Sequence, residues 1–296
     1  MTSPQRTLCV NIDLDDLRYY RAIHGLPEGP DTPLIFEKAV PRFLDFCEIS
    51  GVRSTLFVIG RDMQWSSARD GLSRAVAQGH EVASHSLSHF YDLSRRPRSE
   101  MNEEVHKARE VIGEALGLEV AGFRAPGYNL TPALLEVVAG AGHTYDSSVL
   151  PSPAYYLARA AVIGKMALKG RTSASIRGRA GDFFRTPVPF SWGEPSAGLK
   201  EFPITACGFG RLPLIGTTLA RGGLQGTLPL RGAGRLPFVN LEFHALDFLD
   251  REKDGIEADL AVEPALTIPL ERRLERFENA VRRLSKGRTV RTLDHL

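Results

Sequence analysis

Short apolar runs and amphipathic stretches alternate along the first half of this chain about every 30 residues. Thr7 to Ile12 is apolar and predicts a buried strand that ends in carboxylates. Arg18 to Thr32, polar and holding Gly and Pro, reads as a loop over the end of that strand. Val40, Phe43, Leu44 and Cys47 fall at helical spacing, with Pro41 in the first turn and Gly51 just past the end. Ser54 to Ile59 predicts a second strand, Ala68 to Ala77 a helix closed by Gly79, and Glu81 to Ala83 a third strand. A longer amphipathic helix over Arg98 to Leu116 precedes a strand at Val120 to Phe123. Thr131-Pro132 is a capped helix start, and His143 to Tyr145 the next strand. Further strands are expected at Thr186 to Pro189, Lys200 to Ile204, Phe238 to Phe243 and Arg288 to Leu293, with a helix over Pro269 to Leu284.

Strand and helix in alternation predict an α/β fold with a parallel sheet and crossover helices. Pro151 to Phe184 and Gly208 to Leu236 are rich in Gly or Arg and break the rhythm. They read as long irregular insertions on one domain spanning residues 1–296, since no low-complexity linker or internal repeat divides the chain. The hydrophobic fraction of 43% and charged fraction of 24% fit a soluble globular chain. A net charge of +2, without a basic-aromatic array, gives no reason to expect nucleic acid.

The charge is unevenly placed. Arg159, Lys165, Lys169, Arg171, Arg177 and Arg179 precede Asp182, and Phe202 to Leu241 holds four arginines and no acid. That half is expected to present a positive surface, suited to a phosphate or an anionic membrane, or simply a solvated basic face. Tyr155-Tyr156-Leu157 suggests peripheral membrane contact, against the plainer reading of an amphipathic helix on the barrel. Three scattered cysteines form no disulfide framework, and no apolar run reaches the roughly 20 residues of a membrane span. With a polar start leading straight into a strand, the expected location is cytoplasmic.

Asp13, Asp15, His85, His89, Arg124, Asp146 and His244 each come at or just after a predicted strand end. In a parallel barrel those ends share one face, where catalytic groups collect. His85 and His89 stand four residues apart, so in a helical turn both rings could reach one ion. In Asp13-Leu14-Asp15 one carboxylate can bind that ion while the other serves as base for an activated water. Asp16 is better explained as the cap of a following turn.

The segments Asp13-Leu14-Asp15, His85-Ser86-Leu87-Ser88-His89, Arg124-Ala125-Pro126-Gly127, Asp146-Ser147-Ser148 and Leu241-Glu242-Phe243-His244 resemble, in order, the five motifs of the polysaccharide deacetylase (NodB-like) family. The Asp-x-Asp form is similar to the branch with peptidoglycan deacetylase-like proteins and the deformylase of lipid-linked formamidoarabinose. The resemblance implies a distorted (β/α) barrel, seven-stranded, a divalent metal, and hydrolysis of an acetyl or formyl group from an amino sugar. By position it makes Asp15, His85 and His89 the metal ligands, with Asp16 left open as an alternative to Asp15. Asp13 becomes the base, Arg124 its orienting partner, His244 the acid and Asp146 the support of that histidine. Zn2+ is expected, with Co2+, Ni2+ or Mn2+ also compatible with this donor set. Cytoplasmic placement and the basic insertions favour a nucleotide- or lipid-phosphate-linked sugar of envelope glycan biosynthesis over a secreted polymer. The competing readings are a non-catalytic glycan- or partner-binding barrel and an allantoinase-like cyclic-amide hydrolase.

Overall fold

In β1 (Thr7–Asp13) alternate side chains face opposite ways, as a pleated strand requires. Leu8, Val10 and Ile12 join the main apolar core, while Cys9 belongs to a separate cluster and Asn11 and Asp13 join a buried polar network. The computed structural model describes residues 6–176, 180–196, 198–208 and 210–296. After β1 come α1 (Leu17–Ile23), α2 (Val40–Ser50) and β2 (Thr55–Val58), then α3 (Ser66–Ala77) and β3 (Glu81–Ser84). Next are α4 (Arg98–Asn102), a wide turn over Glu103–Lys107, α5 (Ala108–Leu116) and β4 (Gly122–Phe123). α6 (Pro132–Gly140) and β5 (Tyr145–Asp146) complete the regular alternation. The second half runs α7 (Pro153–Leu168), α8 (Ala180–Phe183), β6 (Phe190–Ser191), β7 (Lys200–Glu201), β8 (Ala206–Cys207) and β9 (Leu212–Pro213). It ends with α9 (Gly216–Arg221), α10 (Gly223–Ala233), β10 (Phe238–His244), α11 (Leu270–Ser285) and β11 (Thr289–Val290).

The strand order is β10-β1-β2-β3-β4-β5-β7-β6, parallel from β10 through β7, with β6 antiparallel at the edge and β11 added beside β1. The seven parallel strands curl into a distorted (β/α) barrel, in agreement with the sequence. Between β7 and β10 the seam is held by single bonds, not a ladder. Thr205 N–H donates to the Asn240 carbonyl at 3.0 Å, and Asn240 N–H to Thr205 Oγ1 at 2.8 Å. Helices pack outside, where Phe43, Phe46, Phe243 and Phe248 meet edge to face and Phe277 joins them at a tilt. At the other end Glu81 closes the barrel by accepting from Thr55, Tyr145 and the backbone of Leu293.

Local signals explain several boundaries. Gly51 ends α2 at φ +65°, a conformation that glycine reaches without a Cβ penalty. Thr131 Oγ1 accepts from Leu134 N–H and starts α6 before Pro132.

Four expectations are corrected. Arg18 to Thr32 is not all loop: Asp16 caps α1 by accepting from Arg18 N–H, and Leu17–Ile23 is helical. The glycines and prolines that suggested a loop lie beyond it. The strand expected at Thr186 to Pro189 sits at Phe190–Ser191, past prolines that cannot donate to a ladder. The last strand shortens to Thr289–Val290. Residues 151–184 and 208–236 are not irregular, since α7, α8, α9 and α10 occupy much of them. Arg177 and Arg179 of the basic cluster lie outside the described residues.

Candidate active site

Parallel register lines up the strand ends. Asp13 pairs with His244 across β1 and β10, Ser84 with Phe123, and Phe123 with Asp146. Asp13 and Asp15 therefore meet His85, His89, Arg124 and His244 above the open end of the barrel. A cavity of about 490 Å3 opens over them, lined by Asp13, Asp15, His85, Tyr128 and His244.

Asp15 Oδ1 lies 3.3 Å from His85 Nε2 and 3.2 Å from His89 Nε2. No hydrogen bond among the described residues satisfies Asp15 Oδ1 or either ring nitrogen of His89, although all are buried. Buried polar atoms are ordinarily paired, so this cluster lacks a partner. A tetrahedral ion with ligands about 2.0–2.1 Å away would separate them by about 3.3–3.4 Å, close to the spacing found. His85 Nδ1 donates to the Arg124 carbonyl at 2.8 Å, which fixes the tautomer and leaves Nε2 its lone pair. Burial opposes ionisation of Asp15, but the two imidazoles hold its carboxyl well below the usual range. These three residues fit a divalent metal. Asp16 is spent on the cap of α1.

Arg124 is fully buried. Its Nη1 donates to Asp13 Oδ1 at 2.5 Å and Asn11 Oδ1 at 2.7 Å, and its Nε to the Ser147 carbonyl at 2.7 Å. The guanidinium stacks 3.9 Å from the Phe57 ring centroid. Glu242 Oε1 is 3.3 Å from the same Nη1 and accepts from the Tyr128 hydroxyl at 2.9 Å. That hydroxyl is also 3.2 Å from His244 Nε2. Burial and the nearby Asp13 carboxylate push Glu242 up to about 8. His244 responds the opposite way to burial, yet Glu242, Asp13 and Asp15 together raise it to about 9.

Six of the seven expected residues thus gather around one space. Asp146 does not join them. Its carboxylate accepts from Ser148 N–H at 3.1 Å and Ser148 Oγ at 2.6 Å, beside a buried Glu201. His244 instead meets Tyr128 and, through its backbone N–H, Asp247 Oδ2 at 2.9 Å. Glu242, Tyr128 and Asn11 did not emerge as candidates from the sequence. The signal was there for Glu242, because Asn240, Glu242 and His244 alternate with Val239, Leu241 and Phe243 along one strand.

Residues 28–145 match the polysaccharide deacetylase family profile, a span that holds His85, His89 and Arg124. Asp13, Asp15, Asp146 and His244 lie outside it and are brought to it by the fold. A protein of Mycobacterium smegmatis assigned to the polysaccharide deacetylases superposes with a TM-score of 0.53 at 16% identity, covering 99% of this chain and 95% of that one. A peptidoglycan N-acetylglucosamine deacetylase superposes with a TM-score of 0.50 at 12% identity, over 98% and 86% of the two chains. YlxY of Bacillus subtilis (strain 168), an uncharacterized protein, is 23% identical over 135 residues, 44% of this chain and 41% of its own length. The chain therefore has the polysaccharide deacetylase fold, and its resemblance to that family is matched over residues 28–145.

Proposed function

We propose that the chain, as one catalytic domain, is a metal-dependent hydrolase that removes an acetyl or formyl group from an amino sugar. The observation that carries this reading is the convergence on one cavity of an unsatisfied Asp15-His85-His89 cluster, an Arg124-bound Asp13 and His244. Asp15, His85 and His89 would hold the ion, with Zn2+ the expected metal and Co2+, Ni2+ or Mn2+ alternatives. When bound, the ion supplies Lewis acidity for the acyl oxygen and for a water. Asp13 takes the water proton, and Arg124 Nη1 holds its carboxylate in place. His244, protonated at neutral pH, gives a proton to the leaving nitrogen, and the Tyr128 hydroxyl steadies its Nε2. Asp146 holds the Ser147–Ser148 segment that in turn receives Arg124.

The sugar is proposed to be nucleotide- or lipid-phosphate-linked, in cytoplasmic envelope glycan biosynthesis, with the chain resting peripherally on the membrane. Exposed Leu157 and Leu168 on α7 and Leu224 and Leu228 on α10, among basic residues, support that placement. No helix among the described residues is long and apolar enough to cross a membrane.

The test is acid release from N-acetyl and N-formyl amino sugars, free and phosphate-linked, by the metal-loaded chain. Chelation is expected to abolish release and metal add-back to restore it. Asp13→Asn is expected to lose about 10²–10⁴-fold in kcat while keeping its metal content. Stoichiometric metal without turnover of any amide would favour a binding protein. Full activity after loss of both His85 and His89 would overturn the metal chemistry.

A further inference from the structure

Arg159 lies on α7, in the stretch expected to be irregular, and its side chain turns inward. It is only 9% exposed and lines the same cavity as Asp13 and His244. Its Nε donates to Ser175 Oγ at 2.6 Å and its Nη1 to the Gly127 carbonyl at 2.8 Å. Nη2 is buried and has no hydrogen-bond partner among the described residues. No carboxylate of those residues forms an ion pair with it either.

The other buried arginines are accounted for. Arg124 holds Asp13, Arg18 holds Asp31 and Asp62, and Arg21 holds Glu257 and Asp259. Arg273 has no acid partner but spends its fork on the carbonyls of Ile268, Leu246, Asp247 and Leu249. Arg18 Nε lacks an acceptor too but lies 3.8 Å from Asp16 Oδ1, so Arg159 is the one of these five whose unpaired buried N–H edge belongs to a guanidinium with no carboxylate beside it among the described residues. A guanidinium in that state is costly, and an incoming anion is the partner that would relieve it.

Gly127 leaves the space beside that edge free of a side chain. Gly127 sits at φ +61°, and a Cβ there would come within 3.0 Å of both Arg159 Nη2 and Tyr91. The Tyr20 hydroxyl, on a residue 8% exposed and lining the same cavity, is a second buried group without a partner. Of the acids that line the cavity, Asp13 meets Arg124, Glu263 meets His24, Asp15 meets the imidazole pair, and Asp247 accepts from His244 N–H through Oδ2 while its Oδ1 has no hydrogen-bond partner among the described residues. Ala154, Ala158, Val162 and Leu212 line the cavity as well, and its other arginine, Arg221, is exposed where Arg159 is buried.

We propose that Arg159 anchors a phosphate-type oxyanion of the amino-sugar substrate through its Nη2 edge. This rests on the hydrolase reading above and narrows it to sugars that carry a phosphate ester. Guanidinium and phosphate oxygen form charge-assisted hydrogen bonds, which are short and strong where water is excluded. Because Gly127 directly follows the Arg124-Ala125-Pro126 segment, the anchor is tied to the loop that carries Arg124, so anion binding would position the sugar against the reacting groups.

Calorimetric binding of inorganic phosphate to the metal-loaded full chain reads the site without knowledge of the sugar. Kd is expected to weaken at least tenfold in Arg159→Gln. Arg159→Lys keeps the buried charge but cannot reach both the Gly127 carbonyl and an anion. It decides the question if the glutamine variant does not fold, with weakening of threefold or more expected. Phosphate that binds wild type and both variants equally, as it would on the metal alone, or that does not bind wild type, overturns the proposal. Acid release then separates the sources among N-acyl amino sugars: neutral glycoside, sugar 1-phosphate, nucleotide sugar and polyprenyl-phosphate sugar. The preference in kcat/KM for phosphate-bearing forms is expected to fall at least tenfold in Arg159→Gln. Arg159-dependent phosphate binding with no amide hydrolysed would remove the hydrolase reading and leave the anion site. Amide hydrolysis that ignores the phosphate and Arg159 would do the reverse.

Discussion

Two carboxylates, Asp13 and Glu242, face one guanidinium at the centre of the barrel, and all three groups are buried. Burial disfavours the charged form of Glu242, and the neighbouring Asp13 disfavours it further. Glu242, pushed up to about 8, is mostly protonated at neutral pH and gains its charge before the pH reaches the His244 value. Its Oε2 lacks a partner among the described residues, whereas Asp13 takes the shortest of the Arg124 bonds. His244 has its pKa raised to about 9, so its protonated form is present below that pH and lost above it. For the proposed acid the consequence is an activity that falls on the alkaline side, near pH 9. Among the charges that raise His244, Glu242 is the leading one, so Glu242→Gln is expected to move that limb to lower pH. A pH profile of kcat/KM for both proteins measures the shift. An unmoved limb would mean that a group other than His244 governs it.

At the scale of elements, the decisive device is strand alternation, with polar side chains inward near the C-terminal ends and apolar ones outward. Most of it was legible. Asp13, His85, Arg124 and His244 could be placed at strand ends because each follows a compact apolar run. What was not legible is which strand-end group turns to which neighbour. Asp146 ends β5 on schedule, yet Ser148, two residues on, captures its carboxylate before it can reach His244. Helices in the second half were hidden for a different reason. α7 carries Ala, Val, Ile and Leu on nearly every side, and α10 contains Pro229 and several glycines, so neither shows a clear amphipathic stripe. Tertiary contacts and caps form them instead. Ser152 starts α7 by accepting from Tyr155 N–H at 3.2 Å, and its hydroxyl donates to the Arg211 carbonyl at 2.6 Å. Ser152→Ala removes both bonds at a fully buried site and is expected to cost about 1–2 kcal/mol. Because α7 carries Arg159 and walls the cavity, substrate KM is expected to rise more than kcat falls. Denaturant unfolding and steady-state kinetics check the two halves, and a variant as stable as wild type would show that packing alone sets the start of the helix.

Across the whole molecule, the second half of the chain differs from the first in charge and in surface. Phe202 to Leu241 carries no acid, and Lys165, Lys169, Arg221 and Arg231 lie on or next to the helices that border the cavity. Those helices also leave leucines outside: Leu168 is 91% exposed, Leu224 76% and Leu157 71%. Apolar side chains cost little in water when single, but several of them among bases suit a surface that is both anionic and oily. Each base near an anionic leaflet contributes about 1 kcal/mol, so three or four would concentrate the chain there by about two orders of magnitude or more. The full chain is therefore expected to sediment with vesicles of phosphatidylglycerol and phosphatidylcholine, much less with phosphatidylcholine alone, and to be released by salt. Leu157→Gln combined with Leu224→Gln is expected to reduce binding while leaving the salt dependence, since the leucines supply insertion and the bases attraction. Indifference to vesicle charge would remove the membrane reading and confine the basic residues to solvation and to the substrate's own charge. Binding that persists unchanged in the double variant would instead assign the attraction to the bases alone.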